Sequence, residues 1–176
     1  PTANLVASLN SLGVVELALA EYEKALRHFE RALDWAEEVG ASHLRPLILD
    51  CMGFADASLR NPDRGLRTIE AALQDTALQG DPAMRALSLS HCGVILRRTG
   101  RLRESLEYFV EAQDVASRSG NPYAHLNCTA NLLFAKGLLR RETPEKLRDV
   151  VDEASRRRLL FVSNKAVLFM GLLKLE

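Results

Sequence analysis

An apolar stripe at helical spacing runs through LRRTGRLRESLEYFVEA, residues 96 to 112, but it has an unusual build. Gly100 breaks it near the front, and Ser105 and Ala112 are small where a core usually has bulk. The arrangement recurs along the chain. Counting 12, 16 and 19 positions on from Gly13 reaches Ala25, Phe29 and Ala32. The same steps from Gly53 reach Gly65, Ile69 and Ala72, and from Gly93 they reach Ser105, Phe109 and Ala112. The anchors stand 40 residues apart, and the pattern is small, small, large apolar, small, three times over. A fixed period in the range of about 20–50 residues is the mark of a repeat architecture.

Helix packing explains the pattern. A glycine in one helix and a small residue in the next let the two axes approach closely. The large residue lies one turn beyond the second slot and fills the seam. The last small residue lets the following pair pack in turn. A single pair cannot bury its apolar face alone, so pairs stack.

The punctuation agrees. Asn61-Pro62, Asp81-Pro82, Asn121-Pro122 and Thr143-Pro144 each place a capping side chain before a proline at the first helical position. Gly40, Gly80 and Gly120 sit where helices should end on a left-handed residue. Gly100 marks the turn inside the third pair, and Ala20 and Arg60 hold that place in the first two. Helices are predicted over 3–19, 22–39, 42–59, 62–78, 82–98, 101–118, 122–139, 144–157 and 161–174. The expected fold is all-α, an α-solenoid of antiparallel helix pairs forming one repeat domain over 1–176. Its repeats span about 3–40, 42–80, 82–120 and 122–158, followed by a capping or partial-repeat helix over 159–176. The fourth repeat is degraded: Leu147, Val151 and Ala154 fit the second-helix slots. Its anchor is either Ala135 or, in the 40-residue frame favoured by the caps at 120–122, the Asn131-Leu132-Leu133 stretch. The tail KAVLFMGLLKLE is similar to CMGFADASL at 51–59 and reads as the opening helix of a fifth unit. It is too apolar to be exposed all round and should either cap the fourth pair or mediate a homodimer.

Composition narrows the function. The chain is 47% hydrophobic and 6% aromatic, favouring helix over sheet. Net charge is zero, which excludes a nucleic-acid-binding polycation. The halves differ, with 8 basic and 13 acidic residues in 1–88 against 15 and 10 in 89–176. Cys51, Cys92 and Cys128 are odd in number and scattered, arguing against a disulfide framework and for a reducing, cytoplasmic setting. No apolar run is long enough to span a bilayer, and no signal peptide is visible. The start without Met and the apolar end suggest a piece of a longer protein. No phosphate-cradling loop, nucleophile elbow or C-x-x-C occurs, so no enzyme activity, cofactor or metal is expected. His91-Cys92 and His125-x-x-Cys128 fall on different slots and should not converge. His28 and His43 read as isolated and exposed. Arg156-Arg157-Arg158 reads as a helix C-terminus rather than a nucleic-acid contact.

LNSLGVVELALAEYEKALRHFERAL resembles a tetratricopeptide repeat through Leu12, Gly13, Ala20, Tyr22, Ala25, Phe29, Ala32 and Leu33. RRTGRLRESLEYFVEAQ matches through Gly100, Leu102, Ser105, Phe109 and Ala112. Two departures stand out: the period is 40 rather than 34, and the expected aromatic three residues after the anchor is Glu16, Asp56 or Leu96. Long-period arrays of this kind resemble the sensor regions of bacterial LuxR-type, maltose-activator-like transcription regulators. They also resemble spindle-orientation adaptors and kinesin light chains.

The resemblance implies a right-handed superhelix whose first helices line a concave groove. Carried over position by position, one row of that groove is Val14, Phe54, Val94 and Phe134. A second is Asn10, Asp50, Ser90 and Ala130, and a third is Leu17, Ala57, Arg97 and Gly137, with Arg98 beside it. An apolar stripe flanked by Asn, Asp and Ser suits a peptide, and Arg97 and Arg98 suit a carboxylate or phosphate. The implied function is a protein- or peptide-binding scaffold. The alternative is a ligand-sensing and self-association region of a transcription regulator whose DNA-binding domain lies outside this stretch. The partner is a protein, a peptide or another domain of the same chain, with no direct nucleic acid or membrane contact.

Overall fold

The computed structural model describes residues 1–75, 78, 80–139 and 145–174. The described residues fall into helices joined by short turns and contain no strand. They form two compact units, Pro1–Asp81 and Pro82–Glu176. Each is a stack of antiparallel helix pairs, the α-solenoid arrangement.

The first unit holds α1 (Ala3–Ala18), α2 (Tyr22–Glu38), α3 (Arg45–Ser58, entered through a 3-10 turn at Ser42–Leu44) and α4 (Pro62–Gln74). Phe29 and Ile48 are fully buried at its centre, with Val6, Ala25, Ala32 and Ala55 around them. The second unit holds α5 (Pro82–Arg98), α6 (Leu102–Arg118), α7 (Pro122–Leu138), α8 (Lys146–Arg156) and α9 (Leu160–Leu173). Phe109 packs there with Leu132 and Ala135. Leu126, Ala130 and Phe134 of α7, Leu147, Val150 and Ala154 of α8, and Val162, Ala166 and Phe169 of α9 share a further core.

The three glycine anchors occupy equivalent surroundings. A Cβ built on Gly13 would stand 2.5 Å from the Phe29 ring, on Gly53 2.5 Å from Ile69, and on Gly93 2.6 Å from the Phe109 ring. These distances lie inside van der Waals contact, so the large residue of each pair occupies the space the glycine leaves. The small residues at the fourth slot, Ala32, Ala72 and Ala112, are fully buried.

Helix ends repeat as well. Ala20, Gly40, Arg60, Gly100 and Arg158 all have φ between 57° and 81°. In each case the next backbone N–H reaches back five residues: Glu21 to Glu16 O, Ala41 to Ala36 O, Asn61 to Asp56 O, Arg101 to Leu96 O and Leu159 to Ala154 O, at 2.8–3.1 Å. This closure satisfies carbonyls that a helix end otherwise leaves open. At the N-termini, the Asn61 side chain accepts from Arg64 N–H and Asn121 from Ala124 N–H, as their Asn-Pro sequences predict. The Thr143-Pro144 cap lies outside the described residues.

The structure departs from expectation in several places. The fourth helix ends at Gln74, where Asp75 turns extended (φ −69°, ψ 131°), rather than continuing to 78. Pro46, which has no N–H to give, starts α3 late behind a 3-10 turn. In the fourth pair, Val150 is buried and Val151 only half-buried, and Phe134 joins the core where α7 meets α8 while Leu133 packs beside it, half-buried. His28 is not isolated: its Nδ1 lies 2.6 Å from a carboxylate oxygen of the buried Glu16. Asp56, forty residues on from Glu16, is buried 3.1 Å from Arg64 Nε. Glu16 and Asp56, each three residues after a glycine anchor, thus form inter-helix polar pairs in the first two repeats. Burial raises the Asp56 carboxyl above its ordinary range, with Arg64 opposing. Arg156 and the C-cap residue Arg157 both bond Glu153, so the basic run does close a helix. The tail helix α9 docks one face on α7 and α8 and leaves Leu160, Phe161, Val167, Leu168 and Leu172 exposed on the other.

Candidate functional site

The first helix of each pair places its polar row at one repeated position. Asn10, Asp50 and Ser90 stand forty residues apart and are all buried, as is Ala130 at the same place in α7. Their fates differ. The Asn10 carbonyl Oδ1 is buried with no hydrogen-bond partner. It borders a cavity of about 110 Å³ between α1 and the start of α3, lined by Ala7, Ser11, Leu44, Leu47 and Ile48. That cavity lies between two first helices. Ser90 is committed inside the second unit, because its Oγ accepts from Asn131 Nδ2 at 2.7 Å. Asp50 is 2% exposed and faces no open groove.

The apolar row behaves in the same graded way. Val14 is exposed, Leu17, Phe54 and Val94 are half-buried, and Phe134 is almost fully buried. Phe134 stacks on Phe169 of α9, with ring centroids 4.0 Å apart and planes 8° off parallel. Its ring is therefore core under the tail helix, not open groove wall.

The two arginines separate. Arg98 is exposed. Arg97 is half-buried, with its Cζ 5.0 Å from the Phe134 ring centroid and 5.8 Å from that of Phe169, within range of a favourable cation–π contact. Its Nε is buried without a partner. Burial, and secondarily the Arg98 charge, lowers its pKa.

A second cation reaches the same place from α9. Lys165 Nζ lies 5.8 Å from the Phe169 centroid and 5.7 Å from that of Phe161, and donates to Asn127 Oδ1. Its pKa is pushed down to about 8, chiefly by burial and further by Arg97. Nearby, the Cys128 thiol lies 3.6 Å from Ala86 O, and burial raises its pKa to about 11. Sequence reasoning missed Lys165. The available signal was its position as the sole charged residue between Arg158 and Lys174, in an otherwise apolar helix.

All three cysteines are buried and free. No group of His, Cys, Asp and Glu among the described residues could hold a metal ion. No helix among them is long and apolar enough to cross a membrane.

A tetratricopeptide-repeat family model matches residues 5–39. No curated protein matches the chain. Two solved structures of a putative kinesin light chain from Podosopora anserina, built of nearly identical TPR-like repeats, are similar to it. One, a form with a single substitution, has a TM-score of 0.66 at 14% identity, covering 97% of this chain and 88% of that one. The other has a TM-score of 0.65 at 10% identity, covering 98% and 96%. At these identities the likeness is one of fold.

Proposed function

We propose that the chain is a peptide-binding scaffold that receives its ligand on the faces lined by first helices. Tetratricopeptide repeats generally serve as protein-interaction scaffolds, and the repeat matched at 5–39 carries the feature that best supports this reading. That feature is Asn10: a desolvated carbonyl oxygen beside a small, mostly apolar cavity, with no bond inside the protein. A buried acceptor left unmatched costs about 1–3 kcal/mol. A peptide N–H at that point would recover it, while Leu44, Leu47 and Ile48 would take an apolar side chain. Val14, Leu17 and Phe54 in the first unit, and Val94, Arg97 and Arg98 in the second, are the remaining contacts proposed.

A peptide-display screen on the whole chain tests the reading. Binders should lose at least about tenfold in affinity to Asn10→Ala, whose melting should not fall below wild type, since no internal bond is removed and an unmatched acceptor is lost. Binders that ignore Asn10, Phe54 and Val94 alike would refute it.

The exposed apolar face of α9 favours a second reading, self-association within a larger cytoplasmic regulator. Sedimentation distinguishes the two. A concentration-dependent dimer abolished by Leu168→Glu favours the second, and a strict monomer that binds peptide favours the first.

A further inference from the structure

We propose that Arg97 and Lys165 together form a binding site for a phosphate monoester dianion. The inference rests on the scaffold reading only in treating the Arg97 face of α5 as a ligand-facing surface.

The geometry carries it. Arg97 comes from α5 and Lys165 from α9, 68 positions apart in the chain. Both cationic groups lie 5.8 Å from the centroid of one ring, Phe169. Among the described residues, neither has a carboxylate partner. Lys24, Arg45, Arg64, Arg85, Arg101, Arg118, Arg156 and Arg157 sit against an Asp or Glu, and the cations without one, such as Arg27, Arg31, Arg67 and Arg103, are mostly exposed, whereas Arg97 and Lys165 are half-buried.

Like charges held close together in a partly desolvated place repel, and burying them without a counter-ion is unfavourable. Burial weakens the hold of both side chains on their protons, and Arg97 adds to the effect at Lys165. The groups that face the pair are neutral or cationic: the Asn127 amide, the Cys128 thiol and Arg98. The packing of α9 on α7 nevertheless sets both against the Phe169 ring.

An anion removes the repulsion and supplies acceptors. Lys165 spends one proton on Asn127 and keeps two, and the Arg97 Nε–H has no acceptor of its own. Nε is already dehydrated in the free protein, so part of the desolvation cost of binding is met beforehand. Both side chains keep some solvent exposure, which leaves a route in. Two positive charges match a dianion, and a phosphate monoester offers three acceptor oxygens where a carboxylate offers two and one charge. The monoester belongs either to a phosphorylated side chain or to a small phosphorylated molecule.

The test uses the whole chain, with inorganic phosphate as the probe and sodium chloride at matched ionic strength as the reference. Phosphate should raise the melting temperature saturably. It should also shift the Lys165 Cε resonance and move that residue's titration midpoint upward, a readout that a purely structural lysine would not give. Arg97→Gln and Lys165→Gln should each remove the effect, Arg103→Gln at an exposed position of α6 should leave it, and Lys165→Arg should retain it if loss of folding confuses the glutamine variant. A phosphoserine peptide binding at least tenfold more tightly than inorganic phosphate assigns the source as a phosphorylated chain. Equal affinity for phosphoserine peptide and free phosphate assigns it as a small phosphate. Either supports the site. Effects reproduced by chloride, or succinate binding as tightly as phosphate, overturn it. A phosphate shift without any peptide binding would sink the scaffold reading and leave this one standing.

Discussion

Gly93→Ala sets two effects of known size against each other. In a helix interior alanine is favoured over glycine by about 0.8–1 kcal/mol, so an isolated α5 would gain from the change. In the folded unit the new Cβ would stand 2.6, 2.7 and 2.9 Å from three atoms of the Phe109 ring. Phe109 is fully buried against Leu132 and Ala135, so it has nowhere to retreat. Overpacking of this kind costs about 1–3 kcal/mol, and a rigid ring places it toward the upper end. The net expectation is a loss of about 1–2 kcal/mol after the propensity gain is subtracted. Gly53→Ala should be worse, because its Cβ also meets the backbone oxygen of Gly65 at 2.6 Å, which no rotamer change can move. Gly171 supplies the control. It lies in α9 with nothing within 4 Å of its Cβ, so alanine there should stabilise by up to about 1 kcal/mol. Urea denaturation followed by circular dichroism measures all three. If Gly93→Ala and Gly171→Ala change stability in the same direction, the close nesting of the helix pairs is refuted.

Arg60→Gly should stabilise by a few tenths to about 1 kcal/mol, since φ of 67° strains any residue with a Cβ; an unchanged or lowered midpoint would count against the left-handed turn. Ala112→Leu, at a fully buried fourth slot, should cost about 1–3 kcal/mol by urea melt, and a neutral outcome would misplace the seam between α6 and α7. Lys165, lowered to about 8, binds fewer protons in the folded chain than in the unfolded one between about 8 and 10.5, so its contribution to stability rises with pH across that window. Cys128, raised to about 11, acts in the opposite sense, so the comparison is with Lys165→Met. That variant should be more stable than wild type at pH 7 by on the order of 1–3 kcal/mol, with the margin shrinking toward pH 10.5; parallel profiles would refute the burial of the charge.

Much of the fold was legible because a repeat protein is made of local events. Each anchor glycine meets a residue sixteen positions on, left-handed residues such as Ala20, Gly40, Arg60, Gly100 and Arg158 close their own helices, and each described Asn-Pro caps the helix it begins. Such contacts span a few turns of chain, so their spacing survives as periodicity in the sequence. Where the template degrades, legibility fails with it. Val150 replaced Val151, and Phe134 left the groove row for the core, because the crossing of α8 and α9 on α7 decides which residues of α7 face inward. The polar row shows the same limit. Position alone made Asn10, Asp50 and Ser90 equivalent, yet Ser90 is taken by Asn131 while Asn10 opens on a cavity. The order of residues was enough to dictate how the helices pair, where they end and which side chains nest between them. That Lys165 and Arg97 border one ring, Phe169, came from three-dimensional packing alone, since it depends on the angle at which one helix docks, and no repeat encodes that angle.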